Sequence, residues 1–185
     1  MMKRILPVLI LFPAPVMAHG LHDSGTLIAG ALHPVSGADH VVAMLAVGLL
    51  AAQMAERSLW LLPTTFVTAM LVGGALGAAS MAFPVVEPTI LASIIILGVL
   101  VALAVSLPLP ALVGIVALFG IAHGWAHGAE GPATGLVIYA FGFATATALL
   151  HLAGIALGRM LPAVALRGLG AGAAVAGLAL AVVRP

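Results

Sequence analysis

The chain has 185 residues, of which 64 % are apolar and 6 % charged, with a formal net charge of +1. A soluble domain carries roughly 25 % charged residues, so this composition places the chain in a bilayer, and so small a net charge excludes nucleic acid as a partner. With Cys 0 there are no disulfides, no thiolate metal sites and no cysteine nucleophile, which leaves 7 His and 5 acids as the polar residues to explain.

Residues 1–18 open with Lys3 and Arg4, run through an apolar stretch broken by Pro7, Pro13 and Pro15, and end Val16-Met17-Ala18. A basic start, an apolar centre and small residues before the junction read as a cleavable signal peptide. The mature chain then begins His19-Gly20-Leu21-His22-Asp23 on the outer face of a bacterial inner membrane, as a single domain over residues 19–185.

Hydropathy over windows of about 20 residues places spans at residues 25–53, 59–81, 89–107, 110–127, 133–157 and 161–183. The fold class is therefore an all-α polytopic membrane protein with six transmembrane helices. With the mature N-terminus in the periplasm, the cytoplasmic side receives Arg57, Arg159 and Arg167 and the far side Arg184, in keeping with the positive-inside rule. Small residues four apart, Gly73 and Gly77 in the second helix and Gly168, Gly172 and Ala176 in the last, mark faces for close helix packing within one bundle or in a homo-oligomer.

The first span carries HPVSGADHVVAM. At helical spacing His33, Gly37, His40 and Met44 share a stripe, with Ser36 on its flank and Asp39 further round. Pro34 removes an amide donor and predicts a kink or unwound turn at that point. Such irregularity is tolerated in hydrocarbon only inside protein or beside a wet cavity. An intramembrane carboxylate must face inward and be paired, so Asp39 is either a candidate metal ligand or half of a self-satisfying Asp–His pair.

The fourth span ends FGIAHGWAHGAEGP, with His123 and His127 four apart and Glu130 beyond them. Imidazoles at that spacing can share a metal, and Glu130 can curl back to join them. Gly124 stands where a zinc protease would have its catalytic Glu, so this is not HExxH. His151 is a single imidazole in the fifth span, and Thr145 and Thr147 near it are polar enough to line a path, although such residues are usually helix back-bonders. Counting about 1.5 Å per residue along straight helices puts His33 roughly 12 Å, Asp39 and His40 roughly 20 Å, and His151 roughly 27 Å below the outer end. His19, His22, Asp23, His127 and Glu130 lie at the surface on that count. Ligands staged in this way suit a conduit, whereas a catalytic centre gathers its groups at one depth.

HPVSGADHVVAMLAVGLLAA, the HGWAHGAE segment and a signal peptide followed by a histidine-bearing N-terminus together resemble the HupE/UreJ family. Leu50 departs from the Trp of many relatives. The resemblance implies a small permease for nickel, sometimes cobalt, tied to hydrogenase or urease metallocentre assembly. It implies His33, Asp39 and His40 as a central site, Glu130 as a further acid, and His123 and His127 as a second motif. His19, His22, Asp23, Ser36, Met44 and His151 are secondary candidates along the path. The metal is cargo: no prosthetic group is expected, and a nickel-enzyme maturation system is an indirect partner. Rival readings are a membrane-embedded zinc hydrolase with Ser36 or water as nucleophile, and a metal sensor that binds without transport. The leader reading predicts that mass measurement of membrane-extracted protein gives a chain starting at His19; a chain starting at Met1 or Met2 would remove the N-terminal ligands.

Overall fold

The computed structural model describes residues 25–54 and 59–183, so the leader and the N-terminal His19, His22 and Asp23 lie outside the described residues. In chain order the helices are α1 Leu27–Ser36, α2 Ala38–Ala52, α3 Leu61–Ala78, α4 Val86–Leu103, α5 Leu109–Ala129, α6 Leu136–Met160 and α7 Ala163–Val183. Among the described residues there is no strand, and each helix satisfies its backbone groups within itself, one of the two ways a chain can cross a bilayer. Five of the helices are long and apolar enough to cross a membrane, and α1 with α2 supplies a sixth crossing if the bent pair is one span. Apolar side chains cover the outside, with Val137, Val164 and Val182 each 83 % exposed, as suits a surface that meets lipid.

The first span is not the continuous helix expected over residues 25–53. It breaks at Gly37, and α1 and α2 meet at 87°. Pro34, where the kink was expected, sits buried inside α1 three residues before the break. A proline loses its own amide and crowds the carbonyl four residues back but here stays within α1, whereas at Gly37 the backbone turns extended, at φ −102 and ψ 119, and ends one helix before starting the next. The Ser36 hydroxyl donates to the His33 carbonyl at 2.6 Å, closing one of the acceptors that the end of α1 leaves open. α4 also ends early, at Leu103 rather than near residue 107. Ala104 turns left-handed at φ 49 and caps the helix by donating to the Leu100 and Val101 carbonyls.

Glycines set the helix spacing. In α3 and α5, which run parallel, a Cβ at Gly124 would strike the Met70 carbonyl and one at Gly128 the Gly74 carbonyl. Conversely, Gly73 faces the backbone of Ile121 and Gly77 that of Trp125. α2 and α6 interlock through Gly48 and Gly154, and α4 crosses α7 at Gly98 and Gly170. The small face that α7 uses is therefore Gly170, Ala174 and Gly177, not the expected Gly168, Gly172 and Ala176. Gly168 and Gly172 face open space. Residues 170, 174 and 177 follow helical spacing as well as 168, 172 and 176 do, so the choice between the two faces is tertiary.

The charges separate by end. Glu130 closes α5 and Glu87 opens α4 at one end, with Asp39 near that end in the first turn of α2; Arg159 and Arg167 flank the α6 to α7 connection at the other. We predict that Gly124→Val lowers the thermal stability of detergent-extracted protein by about 2 kcal/mol or more, because the added methyls meet backbone that cannot yield. Gly168→Val, with open space around it, should leave stability unchanged. Equal stability of both variants would disprove the interlock.

Candidate metal-binding site

The site begins at the break. Ending α1 at Gly37 opens a new helix start at α2, exposed at Ala38 and buried at Asp39, where the first amides need acceptors and the dipole favours a negative charge. Asp39 occupies that first turn. Its Oδ1 accepts from the His40 amide at 3.0 Å and from the His40 ring Nδ1 at 3.0 Å. One carboxylate oxygen thus satisfies the helix start and fixes the imidazole. Gly37 leaves room beside it: a Cβ there would lie 2.7 Å from Asp39 Oδ1 and 3.1 Å from His40 Nδ1, so the pair would have to shift.

With its Nδ1 donating to Asp39, the His40 ring in its uncharged tautomer presents a lone pair at Nε2. This atom lies 2.6 Å from Nε2 of His127 on α5, which must then be the donor. The His33 ring packs on His127 at 4.6 Å between centroids, and the His40 ring lies 4.9 Å from that of His123. Phe143 covers His127 from α6 at 4.4 Å. His123 is fully buried and its Nε2 is 3.0 Å from the hydroxyl of Ser93 on α4. That hydroxyl spends its one hydrogen on the Ile90 carbonyl at 2.6 Å. The ring must therefore donate from Nε2, which leaves the lone pair on its buried Nδ1.

The expected staging by depth is corrected here. His40 and His127 were counted roughly 20 Å apart in depth, yet their ring nitrogens touch. The 87° turn lays α1 across the direction of α2, so α2 starts close to the Glu130 end and His40 comes level with His127. The single stripe of His33, Gly37, His40 and Met44 is likewise split between two helices. His33, Asp39, His40, His123 and His127 are brought together. Met44 is buried in the apolar core, and Ser36 is exposed and turned back on its own helix. Glu130 is exposed at the α5 C-cap, and among the described residues its carboxylate makes no hydrogen bond or ion pair. His151 lies further toward the arginine end.

Sequence reasoning missed Ser93, Phe66 and Phe143. Ser93 carried a signal, being the one hydroxyl in the middle of an Ile- and Leu-rich helix, whereas the two phenylalanines could not be told from core filler. Among the described residues, no three His, Asp or Glu side chains yet converge on one point as ligands. A cavity of about 390 Å³ opens beside His127, walled by Met70, Gly124, Tyr139 and Phe143.

Fold and site together define a polytopic membrane protein with a cluster of imidazoles and one carboxylate in its interior. The chain matches the HupE / UreJ protein family over residues 7–180, and it belongs to that family, as the motifs in α1, α2 and α5 led us to expect. It is 41% identical over 162 residues to Protein HupE of Rhizobium leguminosarum bv. viciae, covering 84% of this chain and 83% of that one. No solved structure matches it.

Imidazole nitrogen NMR of the full chain tests the hydrogen-bond order. Gly37→Ala, whose φ and ψ suit any residue, should keep the fold but perturb His40 and His127. Ser93→Ala should release the Nε2–H preference of His123 alone. Unchanged His40 signals in Gly37→Ala would mean that the carboxylate does not hold the ring.

Proposed function

We propose that this protein is a permease that carries a divalent transition metal, Ni²⁺ with Co²⁺ as the alternative cargo, from the periplasm to the cytoplasm of a bacterial inner membrane, supplying hydrogenase or urease metallocentre assembly. The observation that carries the reading is the pair of ring nitrogens on His40 and His127, 2.6 Å apart and inside the bundle. Two imidazoles on one ion, each at about 2.0–2.1 Å, have nitrogens about 3 Å apart. A few tenths of an ångström of widening, with loss of the shared proton, would seat a cation between them. Asp39, through His40, supplies the negative charge that a dication needs in low dielectric.

Imidazole and carboxylate suit Ni, Co, Zn and Cu(II), so nickel rests on the family reading rather than on ligand type. The direction is supported by the charges, since arginines mark the cytoplasmic side and acids at the opposite end attract cations. Glu130, exposed at that end, fits capture rather than coordination. The absence of a preformed three-ligand cage among the described residues favours transit, which needs binding weak enough to release. A zinc hydrolase needs three ligands and an open fourth position, and its proposed nucleophile Ser36 donates instead to the His33 carbonyl.

Uptake of Ni²⁺ into liposomes holding the purified chain, normalised to folded protein, tests transport against binding alone. Asp39→Asn keeps shape and hydrogen bonding and should cut uptake about 100-fold, the loss when a buried charge stands uncompensated by about 3 kcal/mol. His40→Ala should do the same. Glu130→Gln should lower uptake only at low metal concentration. Wild-type uptake in both Asp39→Asn and His40→Ala would reject the site.

A further inference from the structure

His151 on α6 is a fully buried imidazole, and neither of its ring nitrogens has a hydrogen-bond partner among the described residues. A core position gains nothing from such a residue. Leu or Phe would fill the volume without leaving two polar atoms unsatisfied, so a buried unsatisfied imidazole asks for a ligand. One turn earlier on the same face of α6, Thr147 is also fully buried and donates to the sulfur of Met70 at 3.7 Å. That sulfur is a weak acceptor, so the hydroxyl oxygen retains its acceptor capacity.

α3 runs opposite to α6 and presents a matching stripe. Met70 stands across from Thr147, and Phe66, one turn away, packs edge-on against His151 at 5.2 Å between ring centroids. The Phe66 ring also lies 5.6 Å from that of His123. The order of rings is thus His127, His40, His123, Phe66, His151, and Phe66 is the only apolar member of that series. The cavity beside His127 also reaches Met70 in its wall, on the outer side of this series.

Building on the permease reading, we propose that His151, with Thr147 and Met70, is an inner station for a divalent transition-metal cation and that the Phe66 ring is the gate between it and the outer imidazole cluster. The donors there are imidazole nitrogen, hydroxyl oxygen and thioether sulfur, all neutral. They hold a dication less firmly than the cluster beside Asp39, as a station on the release side must. A fully buried aromatic ring between two polar sites is a hydrophobic constriction, and it passes an ion only by turning aside.

The test uses the full chain in liposomes, with Ni²⁺ outside, a metal indicator inside, and flux normalised to folded protein. His151→Leu removes the unsatisfied nitrogens, so it should fold at least as well as the wild type. Its flux should nevertheless fall about tenfold or more, since loss of even an outer-shell partner typically costs about 10–100-fold, while Co²⁺ binding to the outer cluster, read from its visible spectrum, stays unchanged. Phe66→Ala should raise passive flux in both directions at least about threefold and admit Mg²⁺, as a removed constriction would. Phe66→Leu, which keeps most of the packing, should shift flux in the same direction by less. Wild-type flux in His151→Leu overturns the inner station, and unchanged or lower flux per folded molecule in both Phe66 variants overturns the gate. No flux through the wild-type chain would overturn the permease reading itself and this inference with it.

Discussion

The interior of this bundle depends on how a helix can begin inside a bilayer. Breaking the first span at Gly37 frees the amides of a new helix just where the chain turns inward, Ala38 exposed and Asp39 buried, and an amide left unpaired out of reach of water costs several kcal/mol. Asp39 meets that demand by accepting from the His40 amide, and the same oxygen accepts from the His40 ring. The acid is thus tolerated because the helix start needs it, and the ring is aimed because the acid is there. From the aimed ring follows the contact with His127, and around that contact His33 and His123 pack.

Such a contact survives only if the helices that carry it keep register. The parallel pair α3 and α5 is locked by glycines on both sides, so that Gly124 rests on the backbone of Met70 and Gly120 against that of Phe66. The histidines at 123 and 127 flank these glycines on α5 and inherit their position. On the other side, α6 meets α1 near Tyr139 and Gly142 and meets α2 near His151 and Gly154. Between those two zones it offers Phe143 and Thr147 to the interior, where the bend has made room. Backbone-to-backbone packing of this kind leaves little freedom, which allows a small cluster of polar rings to hold a defined order in an apolar surround.

Electrostatically the interior is sparse by design of the sequence. Apart from Asp39, the polar groups in the line from His127 to His151 are imidazoles, a hydroxyl and a thioether, while the other described Asp, Glu and Arg residues sit at the two ends. On the permease reading proposed above, a cation would meet acids first, then one compensated carboxylate, then only uncharged donors. On that reading affinity would fall along the order, and a falling affinity lets an ion leave as well as enter.

By itself the sequence determined the medium, the helical class and most of the crossings, because composition and hydropathy are sums over local residues. It also singled out His33, Asp39, His40, His123 and His127, since ionisable groups are conspicuous in a chain so poor in them, and a known family pattern runs through them. Only the tertiary structure decided where the first span turns. Pro34 is the local signal for a kink, but the turn falls at Gly37, where the absence of a side chain leaves space for the Asp39–His40 pair. That turn, invisible to a count of rise per residue, brought His40 level with His127. The roles of Ser93 and Phe66, and the choice of Gly170 over Gly168 as the packed face of α7, were likewise hidden. Each depends on a neighbour tens of residues away in the chain, and helical periodicity says which residues share a face but not what that face will meet.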